Sequence, residues 1–173
     1  ENILKRIFEL INQIKEQYNR PLLSFSKELS FLAGEHACNM STKKVPYGHT
    51  GIEYRQLQTP AAIAYSENIA ELPSCPDPAQ SIVVNWLSKT SSFSRILSSF
   101  THTGIGIAES EDGKWYCCQI FATFQFKLTR KEGLLLVSRY INKLRMHKDL
   151  PPLAVALTAT AKFAQRAEDE RDY

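Results

Sequence analysis

Cysteine is scarce in this 173-residue chain. The four residues, Cys38, Cys75, Cys117 and Cys118, form no C-x-x-C pair and no Cys/His cluster. That argues against a disulfide-dense secreted scaffold and against a structural zinc site. Four cysteines allow three pairings. Cys117 and Cys118 are neighbours, and neighbours on a strand point to opposite faces, so we expect at most one of them to face a core. No apolar run approaches the ~20 residues that a membrane-spanning helix needs. No leader is visible, although a chain that begins at Glu1 rather than Met is expected to have lost whatever preceded it, so compartment stays open. A dense basic stripe is also missing. Lys and Arg number 21 against 18 acidic residues, a net charge of +3, which is no nucleic-acid footprint. The short basic stretches at 43–44, 127–131 and 143–148 read as solvated faces.

What is present is periodicity. Ile3, Leu4, Ile7, Leu10, Ile11 and Ile14 recur at helical spacing up to Pro21. Ser26 is placed to cap a second helix whose apolar face carries Leu29, Leu32, Ala33, Ala37 and Met40. Residues 42–66 are polar and turn-rich, a long loop with short helical pieces of the kind that carries function. Pro73, Pro76 and Pro78 make a hard break, after which Asp77 caps a third helix over about 78–89. Residues 88–99 are dominated by serine and read as a loop or short helix. Two strands, 103–108 and 114–125, are joined by the turn Glu111-Asp112-Gly113. Trp86 and Trp115 are expected in the core, His36 as a packed helix histidine, and His102 at the surface.

Two further helices, about 131–147 and 154–171, flank Pro151-Pro152. They repeat the start of the chain. Ile11-Asn12 followed by Pro21-Leu22-Leu23 matches Ile141-Asn142 followed by Pro151-Pro152-Leu153 at a constant offset. We expect a first domain at 1–127 and, at 128–173, a helical extension that opens a second copy. Such a piece cannot bury its own core and would pack on the first copy, on another chain or second domain, or remain mobile. Two unrelated amphipathic helices are the alternative.

Six segments carry a family resemblance: Leu29-x-x-x-Ala33-x-x-His36-Ala37-x-x-Met40; His49-Thr50-Gly51 with Arg55; Ser66-Glu67-Asn68-Ile69-Ala70; Trp86 with Ile96-Leu97; Gly104-Ile105-Gly106-Ile107-Ala108; and residues 116–121. In this order and spacing they resemble the CAP superfamily of cysteine-rich secretory proteins, antigen 5 and plant pathogenesis-related proteins, over about residues 3–125. The resemblance implies an α+β fold, a three-layer α-β-α sandwich with the C-terminal helices appended.

It also implies a cleft that gathers two His and two acidic residues, where some members bind a divalent metal. His49 and Glu67 match the first His and the first acid. The second acid is replaced by Lys89 and the second His by Ser92. We therefore expect a binding cleft of His49, Glu67, Lys89 and Ser92 under a roof formed by residues 86–97, with no tight metal site, since three or four good ligands are normally required, and no cofactor. His49 serves there as a ligand contact or as a loop anchor bonded to Glu67. The two could move a proton, but no nucleophile partners them convincingly. The expectation is a non-catalytic module that binds a lipid or sterol or a protein, secreted by resemblance. A structural subunit of a larger assembly, in a cytoplasmic or ciliary setting, and a hydrolase are the alternatives.

Overall fold

The three longest helices of the first unit start where a side chain can satisfy the unpaired N–H groups of a helix end. The computed structural model describes residues 2–124 and 130–153. Asn2 caps α1 (Ile3–Gln17) by accepting from the N–H groups of Leu4 and Lys5. Ser26 caps α2 (Lys27–Ser41), and Asp77 caps α4 (Pro78–Leu87), with Pro78 in the first turn. Two short helices, α3 (Ile52–Leu57) and α5 (Thr90–Leu97), fill the connections. The strands are β1 (Ser24–Phe25), β2 (Ala62–Leu72), β3 (His102–Glu109) and β4 (Trp115–Phe124), in the order β1-β3-β4-β2. β1 runs parallel to β3, and the other pairs are antiparallel.

The sheet is covered on both faces, which gives three layers. Helix α2 lies on one face, with Leu29, Leu32, Ala33 and Met40 against Cys118, Ile120 and Ala122. Helices α1, α4 and α5 lie on the other, with Ile7, Ile11, Ile82, Trp86 and Ile96 against Cys117, Phe121 and Ile105. Complete burial of one such aliphatic side chain stabilises the fold by about 1.5–3 kcal/mol. Helix α2 meets β3 at backbone distance. A Cβ on Gly104 would overlap the backbone of Leu29 and Ser30, and one on Gly106 the backbone of Ala33 and Gly34. Ser30 at the contact accepts the Ile105 N–H at 3.0 Å.

Four expectations change. Residues 62–72 form a strand of eleven residues rather than the end of a loop; their polar members Ser66, Glu67 and Asn68 hide a strand that β4 supports along its whole length. Cys117 and Cys118 do point to opposite faces, yet both are fully buried, because both faces are cores. All four cysteines are free thiols. Trp115 is half-buried at the start of β4, unlike Trp86 in the core, and His102 is half-buried, edge-on to Phe124.

The chain divides into two compact units, Glu1–Gln125 and Phe126–Tyr173. In the second, α6 (Arg130–Met146) is followed by a turn with Asp149 in the left-handed region and an irregular stretch to Leu153. The expected helix at 154–171 lies outside the described residues. Within the described residues no helix is long and apolar enough to cross a membrane.

Candidate functional site

Glu67 sits mid-strand on β2, and its neighbours Tyr65 and Ile69 pack with the α2-side core. By strand alternation its carboxylate leaves the same face. Its side chain has no exposed surface. An ionised carboxyl there must be paired and fully hydrogen-bonded, and it is. Arg55, on α3, donates from Nε to Oε1 at 2.6 Å and from Nη2 to Oε2 at 2.8 Å. The Tyr65 hydroxyl donates to Oε1 at 3.1 Å. His49 Nδ1 lies 3.3 Å from Oε2, which assigns the ring proton to Nδ1, because a carboxylate only accepts.

The third guanidinium nitrogen, Nη1, donates to the Thr50 carbonyl at 2.9 Å. That carbonyl is aimed by Gly51, whose φ of 78° places it in the left-handed region at the start of α3. Arg55 thus ties together the loop that carries His49, the helix after it and the strand beneath. His36 on α2 fixes the same loop from the other side. Its buried Nε2 lies 2.8 Å from the Gly48 carbonyl.

The electrostatics follow from this packing. Burial pushes the Glu67 carboxyl up, but the hydrogen bonds and charge of Arg55, with the bonds from His49 and Tyr65, more than reverse it, so the acid lies below its ordinary range. Burial and the adjacent carboxylate hold the Tyr65 phenol well above its usual value. Burial, then the positive charge of Arg55, lowers His36. A carboxylate has about four lone-pair positions, and here two guanidinium N–H groups, one phenol and one imidazole occupy them.

Of the four residues expected in a cleft, the structure brings together two. His49 and Glu67 meet. Lys89 is an exposed residue at the start of α5 and Ser92 is buried within that helix, on the side of the sheet that carries Asn68. There the Asn68 amide donates to the Ser92 carbonyl at 3.2 Å and accepts from Arg95 at 3.3 Å. The 86–97 segment is therefore the layer behind Glu67 rather than a roof over it. Glu67 and Asn68 are adjacent and leave opposite faces of β2. Arg55, Tyr65 and His36 are the members of the cluster that the sequence reading passed over as site residues. The only signal was Arg55, four residues after Gly51.

The group does not suit a divalent metal. Among the described residues no three His, Cys, Asp or Glu side chains stand close enough to hold one, and the Arg55 guanidinium occupies the carboxylate edge that a cation would need.

A three-layer sandwich with a loop histidine over a strand glutamate defines a CAP-type domain. The chain belongs to the CAP family, the cysteine-rich secretory protein family, whose family model matches residues 8–121. Solved structures share the fold. An outer surface protein from Borrelia burgdorferi aligns with TM-score 0.62 at 15% identity, covering 72% of this chain and 95% of that one. An extracellular protein containing an SCP domain from Bacillus anthracis aligns with TM-score 0.59 at 23% identity, over 70% of this chain and 40% of that one. A cysteine-rich secretory protein from Staphylococcus aureus aligns with TM-score 0.57 at 17% identity, over 70% and 38%. At these identities the likeness concerns the fold alone. No curated protein matches the chain.

Proposed function

We propose that the first unit is a non-catalytic binding module whose partner is a protein. The observation that supports this most is the saturated carboxylate: Glu67 has neither exposed surface nor an unclaimed lone pair with which to take a proton or hold a metal. A general base needs both reach and an available electron pair. Tyr47 on the loop that carries His49, Tyr54 on α3 and Ile63 on β2 are 42%, 62% and 56% exposed. Exposed tyrosines on a loop and a short helix braced by a rigid scaffold are what protein contacts use. The related structures are an outer surface protein, an extracellular protein and a secretory protein, which supports an extracellular setting.

The test is direct. Calorimetric titration of the whole chain with Zn2+ should give no saturable heat, and hydrolysis of casein or of a p-nitrophenyl ester should not differ between the chain and its His49→Ala and Glu67→Gln variants. Zinc binding in the micromolar range, or a tenfold loss of hydrolysis in either variant, would remove the proposal.

We further propose that residues 128–173 open a second CAP copy. Support comes from a clamp that recurs at an offset of 130 residues. Asn12 donates to the Leu23 carbonyl at 3.0 Å and accepts its N–H at 2.9 Å. Asn142 donates to the Leu153 carbonyl at 2.9 Å and accepts its N–H at 2.6 Å. Asn19 and Asp149, at the same offset, both adopt left-handed φ, 52° and 53°. The bonds that close the two helices also correspond, Arg20 N–H to Lys15 carbonyl and Leu150 N–H to Arg145 carbonyl. Asn142→Ala should lower the helical circular dichroism of the second unit, as Asn12→Ala should destabilise the first. No effect of Asn142→Ala would refute the duplication.

A further inference from the structure

We propose that the face of α6 formed by Val137, Ile141 and Leu144 is a docking face for a second CAP core, met as α1 meets α4, α5 and β3 in the first unit. The inference rests on the duplication above and names its surface and its partner. In α1, Ile7 and Ile11 are completely buried against that layer, and Leu23 beyond the turn is 4% exposed. Their counterparts at the offset, Val137, Ile141 and Leu153, are 55%, 40% and 52% exposed. Leu144, the counterpart of Ile14, is 41% exposed. The asparagine clamp and the left-handed turn hold the same path in both places, so the difference lies in the covering layer and not in the helix.

Two features select a CAP core over other occupants. First, α1 uses a buried cation. Lys15 Nζ donates to the carbonyls of Ile96 and Ser98 at 3.0 and 2.8 Å, at the C-terminal end of α5, where a helix favours positive charge. Arg145 keeps a long cation at the matching position. Second, two basic residues of α6 are placed for water. Arg139 and Lys143 stand two residues either side of Ile141, about 200° around a helix of 3.6 residues per turn, so they point away from the apolar face. A helix that lies on an anionic lipid surface carries its basic residues along the rim of the apolar stripe.

Segment exchange tests the seat. Residues 3–23 of the full chain are replaced by a copy of 133–153, which puts the α6 face where α1 sits. The exchanged chain should unfold cooperatively with a midpoint within roughly 10 °C of the unaltered chain, a few kcal/mol for a domain of this size. An Ile→Asp change at the grafted copy of Ile141 should abolish the transition. A second graft restores Arg6, Phe8, Lys15 and Tyr18, whose partners Asp77, Phe25, Ser98 and Phe93 lie outside the apolar seat. Failure of both grafts to unfold cooperatively overturns the proposal, and if Asn142→Ala still disrupts the second unit, the duplication survives that failure. Concentration-dependent dimers in sedimentation, or co-sedimentation with phosphatidylserine vesicles, if lost in Ile141→Asp, would assign the face to a different occupant and equally overturn it.

Discussion

A carboxylate taken fully out of water loses several kcal/mol of hydration, and a single ion pair rarely returns all of it. Glu67 is held ionised by four donors, of which Arg55 supplies two. Removing that partner leaves a bare buried charge. Arg55→Met should therefore destabilise the first unit by about 3–5 kcal/mol near neutral pH, and by less in acid, where Glu67 escapes the penalty by taking a proton. Arg55→Met combined with Glu67→Leu should recover most of that loss, because an apolar pair of similar size avoids both desolvation costs. Urea unfolding of the two single variants and the double variant measures the coupling. Additive losses would mean that the fork contributes nothing specific. At this scale the sequence was half legible. His49 and Glu67 sit in recognisable motifs and do meet. Arg55 does not announce its partner, since a long side chain twelve residues away reaches a carboxylate only after a turn at Gly51 and a six-residue helix have set its direction. Lys89 and Ser92 were misplaced for a related reason: adjacent strand residues Glu67 and Asn68 recruit different layers, and a one-residue alternation decides which.

Packing between elements was legible where small residues recur. Gly104 and Gly106 alternate on one face of β3, and the structure fills that space with the backbone of α2. Gly104→Ala places a methyl group against main chain that cannot rotate away, so the loss should reach or exceed the upper part of the about 1–3 kcal/mol typical of overpacking. Gly34 provides the control. It lies within α2 with open space where its Cβ would be, and Gly34→Ala should be neutral or stabilise by up to about 1 kcal/mol through helix propensity. Equal losses in the two variants, measured as denaturant midpoints, would contradict close contact as the cause. Capped helices were legible by the same local chemistry, Ser26 and Asp77 each standing one residue before its helix. Strand β2 was not, because its register comes from β4, a partner more than forty residues further along the chain, and its buried polar residues break the apolar alternation that marks a half-buried strand.

Proton linkage belongs to the whole molecule, since buried groups on every layer contribute and their signs differ. His36 is lowered by burial and by Arg55, and Glu67 is lowered once Arg55 outweighs burial. In each case the unfolded chain binds the proton first as pH falls. Stability is thus present above the unfolded values, roughly 6.5 for histidine and 4.3 for glutamate, and is lost below them, first through His36 and then through Glu67. The alkaline side has the opposite sign. Burial pushes the Cys117 and Cys118 thiols up, and burial with Glu67 raises Tyr65. The unfolded chain then releases these protons first, and stability declines as pH rises past roughly 8.5 for the thiols and 10 for the phenol. Lys15, lowered by burial and then by Arg20, runs against that decline. The free energy of urea unfolding should consequently peak between about pH 6.5 and 8.5. His36→Gln, which keeps a donor for the Gly48 carbonyl but does not titrate, should flatten the slope between about pH 5 and 6.5 and leave the slope below about pH 4 in place. An unchanged slope in that variant would assign the upper acid arm to groups other than the histidine that holds the His49 loop.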